Sequence, residues 1–222
     1  MKKVGMIGIG LMGLGIASNV VKHGYALTVM EHAGNQPLDT LLANGVKTVK
    51  TPKALGAEAD IILLCVTGAA QVEAVLTGPD GLIQGMKSGT IIIDCSTSIP
   101  SATQQLAKQV QKAGGVMIDA AMTRTPKEAA EGRLNLLVGS DDQTFEKIKP
   151  LLACFAENIN HVGPVGAGHQ MKLLHNYVSL GTVTVIAEAA ACARKSGIDP
   201  ATFVDVLAKG GGGGVALERL KP

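Results

Sequence analysis

The chain has 222 residues, enough for one large domain or one domain with an appendage, and its net charge of +2 is spread without blocks. That balance gives no electrostatic case for nucleic acid or an anionic membrane surface, and no apolar run approaches a membrane span. With 46 % hydrophobic residues but only two Tyr, three Phe and no Trp, the core must be built from Val, Ile, Leu, Met and Ala, as in parallel sheets covered by helices.

Met1-Lys2-Lys3 leads directly into a short apolar strand, Val4–Ile7, and the strand runs into Gly8-x-Gly10-x-x-Gly13. The apolar stretch is too short for a secretory signal. Leu14 to His23 reads as a helix ended by Gly24, and Ala26–Met30 as a second strand that delivers Glu31 at its carboxyl end. A strand, a glycine turn, a helix, a strand and an acid in this order form a dinucleotide-binding unit. Gly8 permits the tight turn, Gly10 the close approach of the phosphates and Gly13 the packing of helix on strand, with Leu11 and Met12 between them; backbone N–H groups at the helix start then face the pyrophosphate. A carboxylate at Glu31 can accept hydrogen bonds from both ribose hydroxyls of NAD, and it would repel a 2′-phosphate. NAD is therefore expected rather than NADP, although the neighbouring His32 could tolerate a phosphate.

The alternation continues. Gln36–Asn44 reads as a helix capped by Gly45, Val46–Val49 as a strand, and Thr51-Pro52 as the N-cap and first residue of another helix. Asp60–Val66 and Thr90–Asp94 are buried strands, the first followed by Thr67 at the edge of the expected nucleotide cleft. Pro100–Ala113 is an amphipathic helix stopped by Gly114-Gly115. Val116–Asp119 and Asn135–Val138 are strands separated by a short helix near Lys127–Glu131; a helix capped by Asp141 or Asp142 runs to Leu152, and Asn158–Val162 is the last strand. This pattern predicts a Rossmann-type, doubly wound α/β sheet with a mixed or antiparallel edge.

Beyond a hinge at Gly163–Gly166, one long helix is expected from Gly168 to Ser196, then another from Asp199-Pro200 to about Lys209. The glycine run 210–214 stops that helix. The domains expected are thus 1–163, dinucleotide-binding, and 164–222, the start of a helical domain. Lys172 and Asn176 lie at i and i+4 and project from one face of the long helix.

Four cysteines (Cys65, Cys95, Cys154, Cys192) lie far apart, without metal spacing, and read as reduced residues of a cytoplasmic protein. His169 and His175 are not spaced to converge on one ion, so no metal site is expected; His23 and His32 read as surface positions.

Four segments, covering nearly the whole chain in order, resemble the β-hydroxyacid dehydrogenases, which include 3-hydroxyisobutyrate dehydrogenase and tartronate semialdehyde reductase and are relatives of 6-phosphogluconate dehydrogenase. They are Ile7-Gly8-Ile9-Gly10-Leu11-Met12-Gly13; Asp94-Cys95-Ser96-Thr97-Ser98-Ile99-Pro100; Asp119-Ala120-Ala121 with Gly132 and Leu136–Gly139; and Gly168-His169-Gln170-Met171-Lys172 with Asn176. The resemblance implies a semialdehyde reductase or hydroxyacid dehydrogenase with Lys172 as general acid/base. It places Asn176 and Ser96 at the substrate, Thr97 at the nicotinamide or its ribose, and Val66 and Thr67 along the cofactor. A lysine partly buried in an interdomain cleft can have its pKa lowered toward neutrality and exchange the alcohol proton.

The third segment departs from the family pattern D-A-P-V-S-G-G. Thr123 keeps a hydroxyl, but Arg124 replaces a glycine, which resembles the loop of sulfolactaldehyde reductase. Arg124 is expected to bind the substrate's terminal anion, sulfonate or carboxylate. The resemblance also implies a homodimer or homotetramer. The family continues into a full helical bundle, so the all-α segment here is expected to be truncated. A catalytically incomplete NAD-binding fragment or sensor is the alternative reading. A scaffold protein is argued against by the glycine unit, and an imine reductase is disfavoured by Lys172.

Overall fold

The apolar runs settle as the strands of one sheet in a computed structural model that describes residues 2–220. Eight strands, β1 (Val4–Ile7), β2 (Leu27–Met30), β3 (Lys47–Val49), β4 (Ile61–Leu64), β5 (Ile91–Asp94), β6 (Val116–Thr123), β7 (Leu134–Gly139) and β8 (Ala156–Gly163), lie in the order β3-β2-β1-β4-β5-β6-β7-β8. All neighbours are parallel except β6 and β7, which are antiparallel. The reversed pair is the mixed edge expected, and it begins earlier because β6 continues past Asp119 to Thr123 and pairs there with Asn135.

Both faces of the sheet are covered, so successive residues of a strand enter different cores. Ile61, Leu63, Ile91 and Ile93 join one apolar cluster; Ile62, Leu64 and Ile92 join the other. That is why β4 and β5 read as unbroken apolar runs.

Helices fill the crossovers: α1 (Leu11–Lys22), α2 (Asp39–Ala43), α3 (Pro52–Glu58), α4 (Ala69–Thr77), α5 (Pro100–Lys112), α6 (Pro126–Ala130) and α7 (Asp142–Leu152). Thr51 caps α3 by accepting the Ala54 N–H at 3.2 Å, as its sequence signal predicts. Two differences have clear causes. α1 begins at Leu11, not Leu14, because the helix opens directly on the glycine turn. α2 begins only at Asp39, because the Gln36 N–H is tied to the Ile9 carbonyl at 2.7 Å and Pro37 follows. No capping signal in the sequence marks α4: its N-cap is Gly68, which supplies no side-chain cap.

The long helix α8 spans Ala167–Lys195. Two compact units make up the chain, the first ending at Lys172 and the second starting at Leu173. In the second, Asp199 caps α9 (Pro200–Lys209) by accepting the Thr202 N–H at 2.9 Å, and α10 (Val215–Glu218) follows the glycine run. Leu174, Tyr177, Val178, Leu180 and Val185 are exposed on this unit. Among the described residues no helix is long and apolar enough to cross a membrane.

Candidate active site

The strand order reverses beside β1, whose sequence neighbour β2 lies on one side while β4 lies on the other. Open α/β sheets bind ligands at the carboxyl ends of strands where this happens. The loops after β1, β4 and β5 meet there around a cavity of about 850 Å³. Its walls include the Gly8–Gly13 turn, Val66 and Thr67 after β4, Ser96 and Thr97 after β5, Arg124 after β6, and Lys172 on the first turns of α8.

The three glycines differ in what they permit. Gly8 has φ +94, and a Cβ there would lie 2.1 Å from the Cys65 carbonyl oxygen. A Cβ on Gly13 would lie 1.9 Å from the Gly8 carbonyl oxygen, so the first turn of α1 can sit on β1 only without a side chain. Around Gly10 an added Cβ meets nothing within 4 Å. Gly10 is also the N-cap of α1 and offers no capping side chain, so the helix start keeps its N–H groups for a ligand. The turn, the open space at Gly10 and the uncapped helix together fit a dinucleotide pyrophosphate.

Asn35, not singled out in the sequence, braces this turn. Its Oδ1 accepts the Ile9 N–H at 3.3 Å and its Nδ2 donates to the Met30 carbonyl at 3.0 Å. It lines the cavity along with His32. Glu31 does not line the main cavity; it borders an adjoining depression with His32, Asn35 and Lys50. Its Oε1 accepts the Thr48 hydroxyl at 2.6 Å, which fixes the carboxylate at the end of β2.

Ser96 is buried and heavily committed. Its Oγ accepts the Val66 N–H at 3.0 Å and its own N–H donates to Asp94 at 2.9 Å, so it locks the loop after β5 to the loop after β4. Thr97 beside it is exposed toward the cavity. Thr123 is buried at the end of β6 and is absent from the cavity wall. Arg124 has φ +81, the left-handed region in which a glycine is at ease, and that is where the family pattern carries glycine. Its Nη1 donates to the Arg133 carbonyl and to Glu157. Lys172 is half-buried, and Asn176 lies one turn further along α8, within the second unit.

Cys65 and Cys95 also line the cavity. Burial pushes the Cys65 thiol up to about 12, with Asp94 adding to the shift, and raises Cys95 well above its ordinary value for the same first reason. Thiols held protonated are poor nucleophiles, so the cavity is not built for cysteine chemistry. Asp94 is likewise raised, chiefly by burial, with His169 and the Ser96 bonds opposing the shift. Among the described residues no group of three His, Cys, Asp or Glu could hold a metal ion.

A glycine turn at the switch point of a doubly wound sheet, opening on an uncapped helix, defines a nicotinamide-dinucleotide-binding oxidoreductase domain. Residues 3–163 match the family described as the NAD binding domain of 6-phosphogluconate dehydrogenase, and residues 166–222 match the NAD-binding segment of NADP-dependent 3-hydroxyisobutyrate dehydrogenase. The chain is 34 % identical over 219 residues to 2-(hydroxymethyl)glutarate dehydrogenase of Eubacterium barkeri, covering 97 % of this chain and 71 % of that protein. It is 34 % identical over 218 residues to 2-hydroxy-3-oxopropionate reductase of Escherichia coli, covering 98 % and 73 %. The fold is similar to that of Mycobacterium tuberculosis 3-hydroxyisobutyrate dehydrogenase solved with L-serine, with a TM-score of 0.90 at 27 % identity over 97 % of this chain and 73 % of that one. The chain belongs to the β-hydroxyacid dehydrogenase family.

Proposed function

We propose that the protein interconverts a small anionic semialdehyde and its β-hydroxyacid, with Lys172 as the general acid/base. The observation that carries this reading is that Lys172, Thr97 and Arg124 share one cavity with the Gly8–Gly13 turn. A nicotinamide held along Val66, Thr67 and Thr97 would supply or accept the hydride at the substrate carbon. In reduction the Lys172 ammonium gives its proton to the carbonyl oxygen; in oxidation the neutral amine takes the hydroxyl proton. Gly10, Leu11, Met12 and Gly13 present backbone to the pyrophosphate, Val66, Thr67 and Thr97 border the cofactor, and Ser96, Thr123 and Asn176 are assigned to the substrate with Lys172.

NAD is the proposed cofactor, supported by the Glu31 carboxylate that Thr48 holds at the end of β2. Arg124 is proposed to bind the terminal carboxylate or sulfonate; both of its hydrogen bonds run through Nη1, leaving Nε and Nη2 for an oxyanion. The division at residues 163 and 164 into a dinucleotide-binding domain and the start of a helical one belongs to the same reading. So does a homodimer or homotetramer, supported by the exposed apolar residues of the second unit.

The test is oxidation of NADH and NADPH by the purified chain against sulfolactaldehyde and tartronate, succinic and methylmalonate semialdehydes. Turnover with NADH is expected, and Lys172→Ala should reduce it about a hundredfold or more. Lys172→Ala turning over near the parent rate rejects the proton-transfer assignment. Tight NADH binding without turnover on any aldehyde favours the incomplete fragment or sensor instead.

A further inference from the structure

Three buried ionisable side chains, Asp94, Asp119 and His169, meet beside the cavity, and none takes part in the reaction proposed above. All three are fully buried. Asp94, the last residue of β5, and Asp119, in the middle of β6, are register partners. Asp119 Oδ1 accepts the Gly166 N–H at 2.6 Å and Oδ2 accepts the His169 N–H at 2.7 Å. The first turn of α8 is thus capped by a carboxylate from another element, a role Gly166 cannot fill itself. Two glycines admit it: a Cβ on Gly139 would lie 2.4 Å from Asp119 Oδ1, and one on Gly168 would lie 2.7 Å from Oδ2.

The His169 ring extends the attachment. Its Nε2 lies 3.1 Å from the Ser96 carbonyl, which can only accept, so Nε2 carries a proton. Its Nδ1 lies 2.8 Å from the Thr103 hydroxyl on α5. The two carboxylates flank the ring, Asp94 Oδ2 at 3.9 Å from Nε2 and Asp119 Oδ2 at 3.8 Å from Nδ1. One residue therefore fastens the start of α8 to β6, to α5 and to the loop that carries Ser96 and Thr97. Lys172 stands three residues further along the helix, on the same side.

We infer that His169 and Asp119 are positioning residues: by fixing the first turn of α8 against the loop after β5, they set where the Lys172 amine stands over the cavity. The inference rests on the reading of Lys172 as the proton-transfer group, but its geometric content can be tested apart from activity.

The experiment compares the parent chain with His169→Phe, His169→Gln and Asp119→Asn. Lys172 is followed by NMR after reductive ¹³C-methylation, its signal assigned by its loss in Lys172→Arg. His169→Phe should move the Lys172 titration midpoint and lower kcat about a hundredfold, as an angstrom-scale misplacement does, with KM and the NADH Kd held within about threefold. His169→Gln, whose amide can still donate to the Ser96 carbonyl, should recover most of both effects. Asp119→Asn, which keeps one acceptor, should fall between. An unchanged Lys172 titration in the folded variants overturns the inference. So does a loss of NADH binding in parallel with kcat, which would make the cluster a general prop of the fold. Should Lys172→Ala prove fully active, the reading of Lys172 fails, while the titration shift still reports whether His169 places it. A His169→Phe chain that does not fold leaves the other two variants to decide.

Discussion

Gly13 stands directly on Gly8: a Cβ on Gly13 would come within 1.9 Å of the Gly8 carbonyl oxygen. The obstacle is backbone, which cannot swing aside as a side chain can. Gly13→Ala is therefore expected to cost at least about 2 kcal/mol of stability by overpacking. Gly10→Ala should lower the urea midpoint far less, by no more than the N-cap preference for glycine over alanine, since its Cβ meets nothing within 4 Å, yet weaken NADH binding because the methyl enters the space over the helix start. Equal losses of NADH affinity and stability in both variants would contradict the separate roles given to the two glycines.

Glu31 and Thr48 make a second pair with a measurable consequence. The Thr48 hydroxyl donates to the Glu31 carboxylate at 2.6 Å across β2 and β3, holding it where ribose hydroxyls would arrive. Glu31→Ala should narrow the ratio of NADPH to NADH dissociation constants, removing both the hydroxyl acceptor and the repulsion of a 2′-phosphate. Thr48→Val should act in the same direction but less, by freeing the carboxylate without deleting it. Fluorescence titrations with the two cofactors decide it; an unchanged ratio in Glu31→Ala assigns discrimination to another residue, with His32 and Lys50 the nearest candidates along the depression.

The glycine turn could be read from the sequence because each of its requirements is local: a strand, a bend and a helix start within ten residues of chain. The spacing of Lys172 and Asn176 placed both on one helix before any coordinates. The surroundings of that lysine were not legible. Asp119 and His169 are 50 positions apart, and nothing in either segment alone says that a carboxylate from β6 caps α8. Gly139 and Gly168 were visible as motif residues, but the reason for them, clearance for Asp119 Oδ1 at Gly139 and for the Leu137 carbonyl and Asp119 Oδ2 at Gly168, exists only once β7 and α8 are packed. Asn35 carries no signal in the sequence for the same reason: its partners, Ile9 in the glycine turn and Met30 at the end of β2, meet it only in the fold. Arg124 departs from a glycine-bearing pattern in the sequence, while its positive φ, the physical reason for that glycine, belongs to the folded chain alone.

Away from the cavity, Asp141 gives a pH-dependent stability with a definite sign. It caps α7 by accepting the Thr144 N–H at 2.8 Å, and this bond holds its carboxyl below the ordinary value of 3.8. A group depressed in the folded state stabilises above its unfolded pKa and loses that contribution as pH falls through the folded one. Asp141→Ala should therefore cost about 1 kcal/mol at pH 7, with the gap to the parent closing as the pH drops below 3.8. Urea unfolding at matched pH values checks it; a gap that persists at the acid end would mean that side-chain packing, and not the cap, is lost.

Arg124 joins a backbone cost to a proposed binding gain, and one substitution separates the two. Its φ of +81 is a conformation that an L side chain adopts at some expense and a glycine does not. Its ion pair with Glu157 is partly exposed, so solvent screening limits what that pair returns. Arg124→Gly should accordingly leave stability within about 1 kcal/mol of the parent, relief of the strained φ offsetting the lost contacts and the freer unfolded chain. Its KM for an anionic aldehyde should rise by about tenfold or more, the loss of a charge-assisted hydrogen bond to the oxyanion, with little change for a neutral aldehyde of the same length. Glu157→Gln provides the counter-test: with its competing carboxylate neutralised, Arg124 should hold the anionic substrate at least as tightly as in the parent. A KM that stays constant across both variants would place the substrate's anion elsewhere and leave Arg124 as a surface residue paired with Glu157.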